Sequence, residues 1–109
     1  MGVAVMNVVR IDGTAEWKVS RTSSGQVLGV CDTLGLTVES DTWANLMEDI
    51  GQTLNAMLHD LHRSGDLERF LYDREWRPQL RPTDTPEDAW FDVPFTTRTT
   101  ERDSETAVR

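Results

Sequence analysis

Two histidines, His59 and His62, are the residues whose type and spacing first suggest chemistry. They stand three positions apart in a segment with helical periodicity, so both rings can approach one metal ion. Asp66 or Glu68 is the possible third ligand, and a metal-dependent hydrolase using His59, His62 and Asp66 is one hypothesis. The sequence favours the simpler interpretation that both histidines flank a core-facing stripe of leucines, because no second group of metal-ligand residues accompanies them.

Nucleophilic chemistry has one further candidate in Cys31, the only cysteine of the chain. It follows Val30 in an apolar strand, where cysteine usually behaves as a small buried hydrophobe. A single cysteine also excludes an intramolecular disulfide. The segment 32–37 lacks the glycine spacing and the lysine of a phosphate-binding loop. We therefore expect a protein that is not an enzyme and that has neither a cofactor nor a bound metal.

The charge balance is acidic, since 19 Asp and Glu residues against 11 Lys and Arg residues give a formal net charge of -8. Binding to a phosphate backbone requires a basic footprint. We therefore expect no direct binding of nucleic acid. An acidic surface either serves solubility or complements a basic protein partner.

Hydrophobic periodicity predicts the elements that would position these residues. Alternating apolar residues predict two or three strands, at 6–11, 15–21 and 27–39. The first begins at Met6 or at Val3, and the last is interrupted near Asp32-Thr33. Turn-forming sequences at 12–14 and 22–25 predict that hairpins join them. We expect an antiparallel sheet of three to four strands, with one covered face and one exposed face.

One long amphipathic helix follows the strands. The free N–H groups of a first turn can donate to side-chain oxygens of Ser40, Asp41 and Thr42, so the helix is predicted to begin near Thr42. Its apolar stripe continues to Leu61, and Gly65 is a predicted left-handed C-cap. Asp66 is predicted to cap a second, shorter helix. The fold class is therefore α+β, with the order β-β-β-α-β and the long helix packed on one face of the sheet.

The composition changes near Arg77, because all four prolines of the chain follow that residue. We predict one domain at 1–77 and an acidic, proline-containing tail at 78–109 whose end is disordered. Within the tail, the apolar segment 89–95 is either an edge strand of the same chain or a peptide that docks on a partner. Pro94 restricts such a strand to a sheet edge, because proline cannot donate a ladder hydrogen bond.

The chain of 109 residues contains a large number of tryptophans for its length, namely Trp17, Trp43, Trp76 and Trp90. Tryptophan is enriched at the centres of interfaces, although a core role is the alternative for each. A chain this short buries a modest fraction of its surface, and pairing with a copy of itself adds stability. We expect a homodimer or a homotetramer.

A family resemblance is carried by the strand Gly25–Asp32, by Leu36–Leu46 and by the helix that follows. The strongest part is Ser40-Asp41-Thr42, where the strand enters the helix. This pattern covers roughly residues 6–76 and resembles the HicB-type antitoxin domain. The resemblance implies a partial ferredoxin-like or RNase H-like fold that self-associates. It also implies that the domain neutralises a small basic ribonuclease toxin by occluding the toxin's RNA-binding face.

The predicted partner contacts are the sheet edge and seven residues, Asp41, Thr42, Trp43, Asn45, Trp90, Phe91 and Phe95. Many HicB-type antitoxins carry a DNA-binding module after the domain, and the proline-containing tail departs from that pattern. The alternative function is an acidic adaptor or nucleic-acid mimic of phage or mobile-element type that blocks another nucleic-acid enzyme. The chain shows no secretory signal and no run of about 18 apolar residues, so we expect a cytoplasmic protein that does not bind membranes.

Overall fold

A computed structural model describes residues 7–81, 85–86 and 88–99. The elements are β1 (Val8–Asp12), β2 (Ala15–Arg21), β3 (Val27–Cys31), β4 (Leu36–Ser40), α1 (Trp43–Ser64), α2 (Leu67–Asp73), β5 (Arg77–Pro78), β6 (Trp90–Asp92) and β7 (Phe95–Thr99). Within these ranges, no helix combines the length and the apolar character needed to cross a membrane.

The chain folds into two compact units that divide helix α1 between Thr53 and Leu54. The unit named here the β1 unit holds β1, the second half of α1, α2, β5 and β6. The β2 unit holds β2, β3, β4, the first half of α1 and β7. Each unit therefore takes strands from before and after the long helix.

The β2 unit is built on a four-stranded sheet of order β4-β3-β2-β7. Strands β2, β3 and β4 pair in antiparallel fashion, and β7 pairs with β2 in parallel. Trp17 is fully buried, and its ring lies beside Gly29 together with the side chains of Leu46 and Ile50 of α1. The first half of the helix thus covers the centre of this sheet with its apolar stripe.

The β1 unit contains a three-stranded sheet of order β5-β1-β6. Strand β5 is antiparallel to β1, and β6 is parallel to β1 with Val9 opposite Phe91. The core of this unit includes Leu54 and Leu58 from the second half of α1, both almost completely buried. The apolar stripe of α1 therefore contributes to both cores.

The predicted α+β class is confirmed, and so are β2 with its predicted bounds and the long helix. The predicted hairpin at 12–14 does not form, because β1 and β2 belong to different sheets. The sheets are also mixed and not wholly antiparallel, since β6 and β7 return after the helices and pair in parallel. A parallel pair needs a long crossover connection, and the segment containing the helices supplies it.

Gly13 has a packing role in the bend between β1 and β2. A Cβ atom at this position would lie 2.4 Å from Cδ1 of Trp76. The glycine is required for close packing of the indole ring against the backbone, and its φ is not positive.

The predicted tail contributes β6 and β7 to the two sheets. Of the two alternatives for 89–95, the structure shows the strand within the chain, with β6 at a sheet edge. The predicted disordered end comprises the last dozen residues. That prediction is wrong for Arg98 and Thr99, which belong to β7, and residues 100–109 lie outside the described part of the chain.

Helix α1 ends in a Schellman motif at Gly65, as the sequence predicts. The N–H of Gly65 donates to the carbonyl of His62 (3.2 Å), and the N–H of Asp66 donates to that of Leu61 (2.9 Å). Gly65 has a φ of 83°, the left-handed conformation that this motif requires. Asp66 precedes α2 but makes no side-chain cap hydrogen bond. Its carboxylate instead accepts the hydroxyl hydrogen of Ser64 (2.9 Å).

Helix α2 ends in the same motif without a glycine. The N–H of Glu75 donates to the carbonyl of Tyr72 (3.1 Å), and the N–H of Trp76 donates to that of Leu71 (2.9 Å). Glu75 adopts a φ of 60°, which costs an L-residue about 1 kcal/mol or more. The chain tolerates this strain at the point that positions Trp76.

Replacing Glu75 with glycine is expected to raise the free energy of unfolding by about 0.5–1 kcal/mol. The relief of left-handed strain exceeds the added entropy of the unfolded chain. The matched change Gly65→Ala is expected to lower the same quantity by about 1 kcal/mol. Urea unfolding of both variants measures the two changes in the free energy of unfolding. Two changes of the same sign would contradict the left-handed strain at Glu75.

Candidate partner-binding surfaces

Four of the predicted partner-binding residues lie together at the start of α1. We call Asp41, Thr42, Trp43 and Asn45 the helix-start surface, and all four are exposed. Thr42 has a structural task, because its Oγ1 accepts the N–H of Asn45 (3.1 Å) and its carbonyl accepts the N–H of Leu46 (2.9 Å). Thr42 is thus the N-cap of α1, as predicted.

Trp43 is the dominant feature of this surface. Its side chain is 47% exposed, which is unusual for so large an apolar group. It lines a cavity of about 90 Å³ with residues of β2, β3 and β7, namely Val19, Ser20, Arg21, Val27 and Thr99. An exposed indole beside a small cavity can anchor a protein partner.

The chain around this surface is acidic over a long stretch. Between Arg21 and Arg63 the sequence contains six acidic residues and no lysine or arginine, the six being Asp32, Glu39, Asp41, Glu48, Asp49 and Asp60. Of these six, Glu39, Asp41 and Glu48 are exposed and lie in or next to the helix-start surface in the sequence, and their carboxylates favour a positively charged partner.

Two cations of the β2 unit are already paired. Lys18 contacts Asp32 at 3.1 Å, and Arg98 contacts Glu16 at 3.4 Å. Within the described residues, no ion pair involves Asp41. Among the described residues, the carboxylate of Asp41 therefore has no cationic partner, and Arg21 is a cation in the lining of the cavity beside Trp43.

The remaining predicted residues are less accessible. Phe91 is 1% exposed and belongs to the core of the β1 unit, so its side chain does not lie on a surface where a partner could contact it. Trp90 and Phe95 are half-buried. Trp90 lies opposite Val8 in the β1–β6 ladder, and Phe95 lies opposite Ala15 in the β2–β7 ladder.

The edge of β6 is held by two side chains of α1. Asn55 Oδ1 accepts the N–H of Phe91 (2.7 Å), and His59 Nε2 donates to the carbonyl of Ala89 (2.5 Å). The imidazole also meets the Phe91 ring edge-on, with ring centroids 5.0 Å apart. These contacts satisfy backbone groups that a sheet edge leaves unpaired.

His59 therefore has a structural role, which explains a histidine next to the core stripe. Among the residues that the structure describes, no three His, Cys, Asp or Glu side chains are grouped so that they could hold a metal ion. Cys31 is buried in β3, as the sequence predicts. Its Sγ lies 3.6 Å from Oγ1 of Thr33.

A larger surface feature was not predicted from the sequence. An open groove of about 490 Å³ in the β1 unit is lined by Glu68, Arg69, Leu71, Tyr72, Trp76, Arg77 and Pro78. We call it the arginine–aromatic groove. Its signal in the sequence is Tyr72, a large aromatic residue at a polar position of a short amphipathic helix, and its side chain is 82% exposed.

We compared the chain with protein-family models, with curated proteins and with solved structures. None of the three comparisons found a match. The function is therefore argued from the surfaces of the two units.

Proposed function

We propose that this chain is a non-enzymatic protein-binding domain of the HicB antitoxin type. It neutralises a small basic ribonuclease toxin by covering the toxin's RNA-binding face with the helix-start surface. One observation carries the proposal. Trp43 is exposed, and the sequence around it, residues 22–62, contains six acidic residues and no lysine or arginine.

The chemistry of occlusion follows from these groups. A ribonuclease holds RNA with basic side chains, and Asp41 with the neighbouring Glu39 and Glu48 offers carboxylates to the same side chains. Trp43 supplies apolar area that becomes buried at the centre of the contact. Charge complementarity accelerates the encounter and the indole slows dissociation.

The order of elements supports the proposal. The β2 unit follows β2-β3-β4-α1-β7. The predicted order β-β-β-α-β counted β1 as its first strand and treated β3 and β4 as one, so the two orders agree only in the pattern of strands, helix and strand. The four-stranded sheet leaves β4 and β7 as its edge strands. The proposal includes self-association into a homodimer or homotetramer, for which an edge strand is a ready surface. It also includes a cytoplasmic location, where a thiol such as Cys31 stays reduced.

Changing Trp43 to alanine is expected to weaken binding to the toxin by at least about tenfold, because a buried tryptophan anchor typically contributes about 2 kcal/mol. Isothermal titration with a small basic ribonuclease encoded by a neighbouring gene, the partner that the proposal requires, measures the change. The same samples are assayed for inhibition of RNA cleavage. Affinity is expected to fall as salt is raised.

Tyr72→Ala is the matched control, because it also removes an exposed aromatic side chain but lies in the β1 unit. It is expected to leave toxin binding unchanged. Equal affinity of Trp43→Ala and the unaltered protein would reject the helix-start surface as the contact. Failure of the unaltered protein to inhibit the ribonuclease would reject the antitoxin function.

The acidic stretch also supports the alternative function, an acidic adaptor that mimics nucleic acid. In that case the protein inhibits a different nucleic-acid enzyme, and an excess of RNA or DNA competes with it. The identity of the gene beside this one, and inhibition of its product, separates the two functions.

A further inference from the structure

The arginine–aromatic groove plays no part in the function proposed above. It combines one tyrosine, one tryptophan and two arginines with Pro78. Trp, Tyr and Arg are the residue types that dominate the energetics of protein interfaces. A volume of about 490 Å³ also lies within the range of ligand and peptide sites.

The fold holds the aromatic wall of this groove in place. The Schellman motif at the end of α2 fixes the backbone of Trp76, and Gly13 admits its ring. Phe70 meets the Trp76 ring edge-on at 5.8 Å between centroids, and Arg74 lies 3.9 Å above the Phe70 ring. Because Trp76 is already fixed, its ring loses little conformational entropy when a ligand binds, whereas Tyr72 is 82% exposed.

The charge of the groove is opposite to that of the whole chain. Arg69 and Arg77 are exposed, and neither makes a hydrogen bond or ion pair through its side chain within the described part of the chain. Glu68 is the single acidic residue of the lining. Two guanidinium groups thus lie beside two aromatic rings in a protein of net charge -8, and guanidinium groups bind carboxylates through charge-assisted hydrogen bonds.

A second cavity extends the groove. It has a volume of about 340 Å³ and shares Arg77 and Pro78 with the first. Its lining contains Arg10 and Arg77 and also Asp12 and Asp92, so the second cavity adds length to the groove but no net positive charge. Two cavities that share a wall suit an extended chain of several residues better than one compact small molecule.

We infer that the arginine–aromatic groove binds an extended acidic peptide segment of a partner protein. An apolar side chain of that segment packs against Tyr72 and Trp76, while its carboxylates pair with Arg69 and Arg77. The basic toxin proposed above has the wrong charge for this groove. A nucleic-acid strand is disfavoured because its many phosphates face the acidic excess of the chain.

The test uses the full chain labelled with ¹⁵N and a set of blocked heptapeptides, in which a central Phe or Leu is flanked by Asp and Glu. The indole N–H signal of Trp76, assigned with Trp76→Phe, is expected to shift in a saturable way. Peptides with Asn and Gln in place of the acids are expected to bind at least about tenfold more weakly, because the charge-assisted hydrogen bonds are lost.

The variant Arg69→Gln/Arg77→Gln removes both cations without adding like charges. It is expected to lower the affinity for the acidic peptides at least about tenfold, and Tyr72→Ala is expected to lower that affinity as well. The matched control is Arg63→Gln, because Arg63 is exposed, pairs with Asp60 and does not line the groove. Circular dichroism confirms that each variant is folded.

Three results would overturn the inference. One is no shift of the Trp76 signal with any acidic peptide, and another is equal affinity for the amide peptides. The third is tighter binding of a ten-nucleotide DNA strand than of the acidic peptides. Trp43→Ala is expected to leave peptide binding unchanged, so failure here is distinguishable from failure of the proposed antitoxin function.

Discussion

Replacing Phe91 with alanine is expected to lower the free energy of unfolding by about 3–5 kcal/mol, the cost of deleting a buried phenyl ring and leaving a cavity. The ring is 1% exposed and meets His59 edge-on. Since the total free energy of unfolding of a small domain is about 5–15 kcal/mol, this loss removes a large part of the stability. Urea unfolding followed by circular dichroism measures the change.

Asp92→Ala is the control for this experiment, because Asp92 is the next residue of β6 and is exposed. It is expected to alter the free energy of unfolding by less than about 0.5 kcal/mol. A loss below about 1 kcal/mol for Phe91→Ala would mean that the segment 89–95 is not part of the folded core. The alternative of a free docking peptide would then return.

Replacing Gly13 with alanine is expected to cost about 2–3 kcal/mol, near the upper end of typical overpacking penalties. The added Cβ would lie 2.4 Å from Cδ1, 2.5 Å from Cγ and 2.8 Å from Nε1 of Trp76. These atoms form one edge of the five-membered ring and include its attachment atom Cγ, so a small rotation of the side chain does not relieve the contact. Urea unfolding measures the loss, and the Trp76 indole signal reports the displaced ring.

Gly51→Ala provides a control with the opposite expected sign. Gly51 lies within α1, and a Cβ there would meet nothing within 4 Å. Alanine is a better helix former than glycine, so this change is expected to raise stability by about 0.5–1 kcal/mol. If both substitutions had the same effect, Gly13 would not be needed for close packing.

Local patterns in the sequence were sufficient to predict several elements. Strand β2, the N-cap at Thr42 and the left-handed residue Gly65 each depend on neighbours within a few positions. Period-two alternation and helix capping can both be recognised within such short segments. The acidic excess and the single buried cysteine were equally evident from composition and context.

Pairing between distant segments was decided only by the tertiary structure. The parallel partners of β1 and β2 lie about 80 positions away, at 90–92 and 95–99. No local signal distinguishes a parallel partner from an antiparallel neighbour, because the side-chain alternation is the same in both. The predicted hairpin at 12–14 was wrong for this reason.

The candidate sites divide in the same way. The sequence by itself determined an aromatic residue in an acidic helix start, because Trp43 and its acidic neighbours are close in the chain. Only the tertiary structure decided that Phe91 is buried and that Trp76, Arg77 and Tyr72 form a groove. The sequence does not show whether a glycine is needed for a turn or for close packing. At Gly13 the reason is close packing against the ring of Trp76, which lies 63 positions away in the chain.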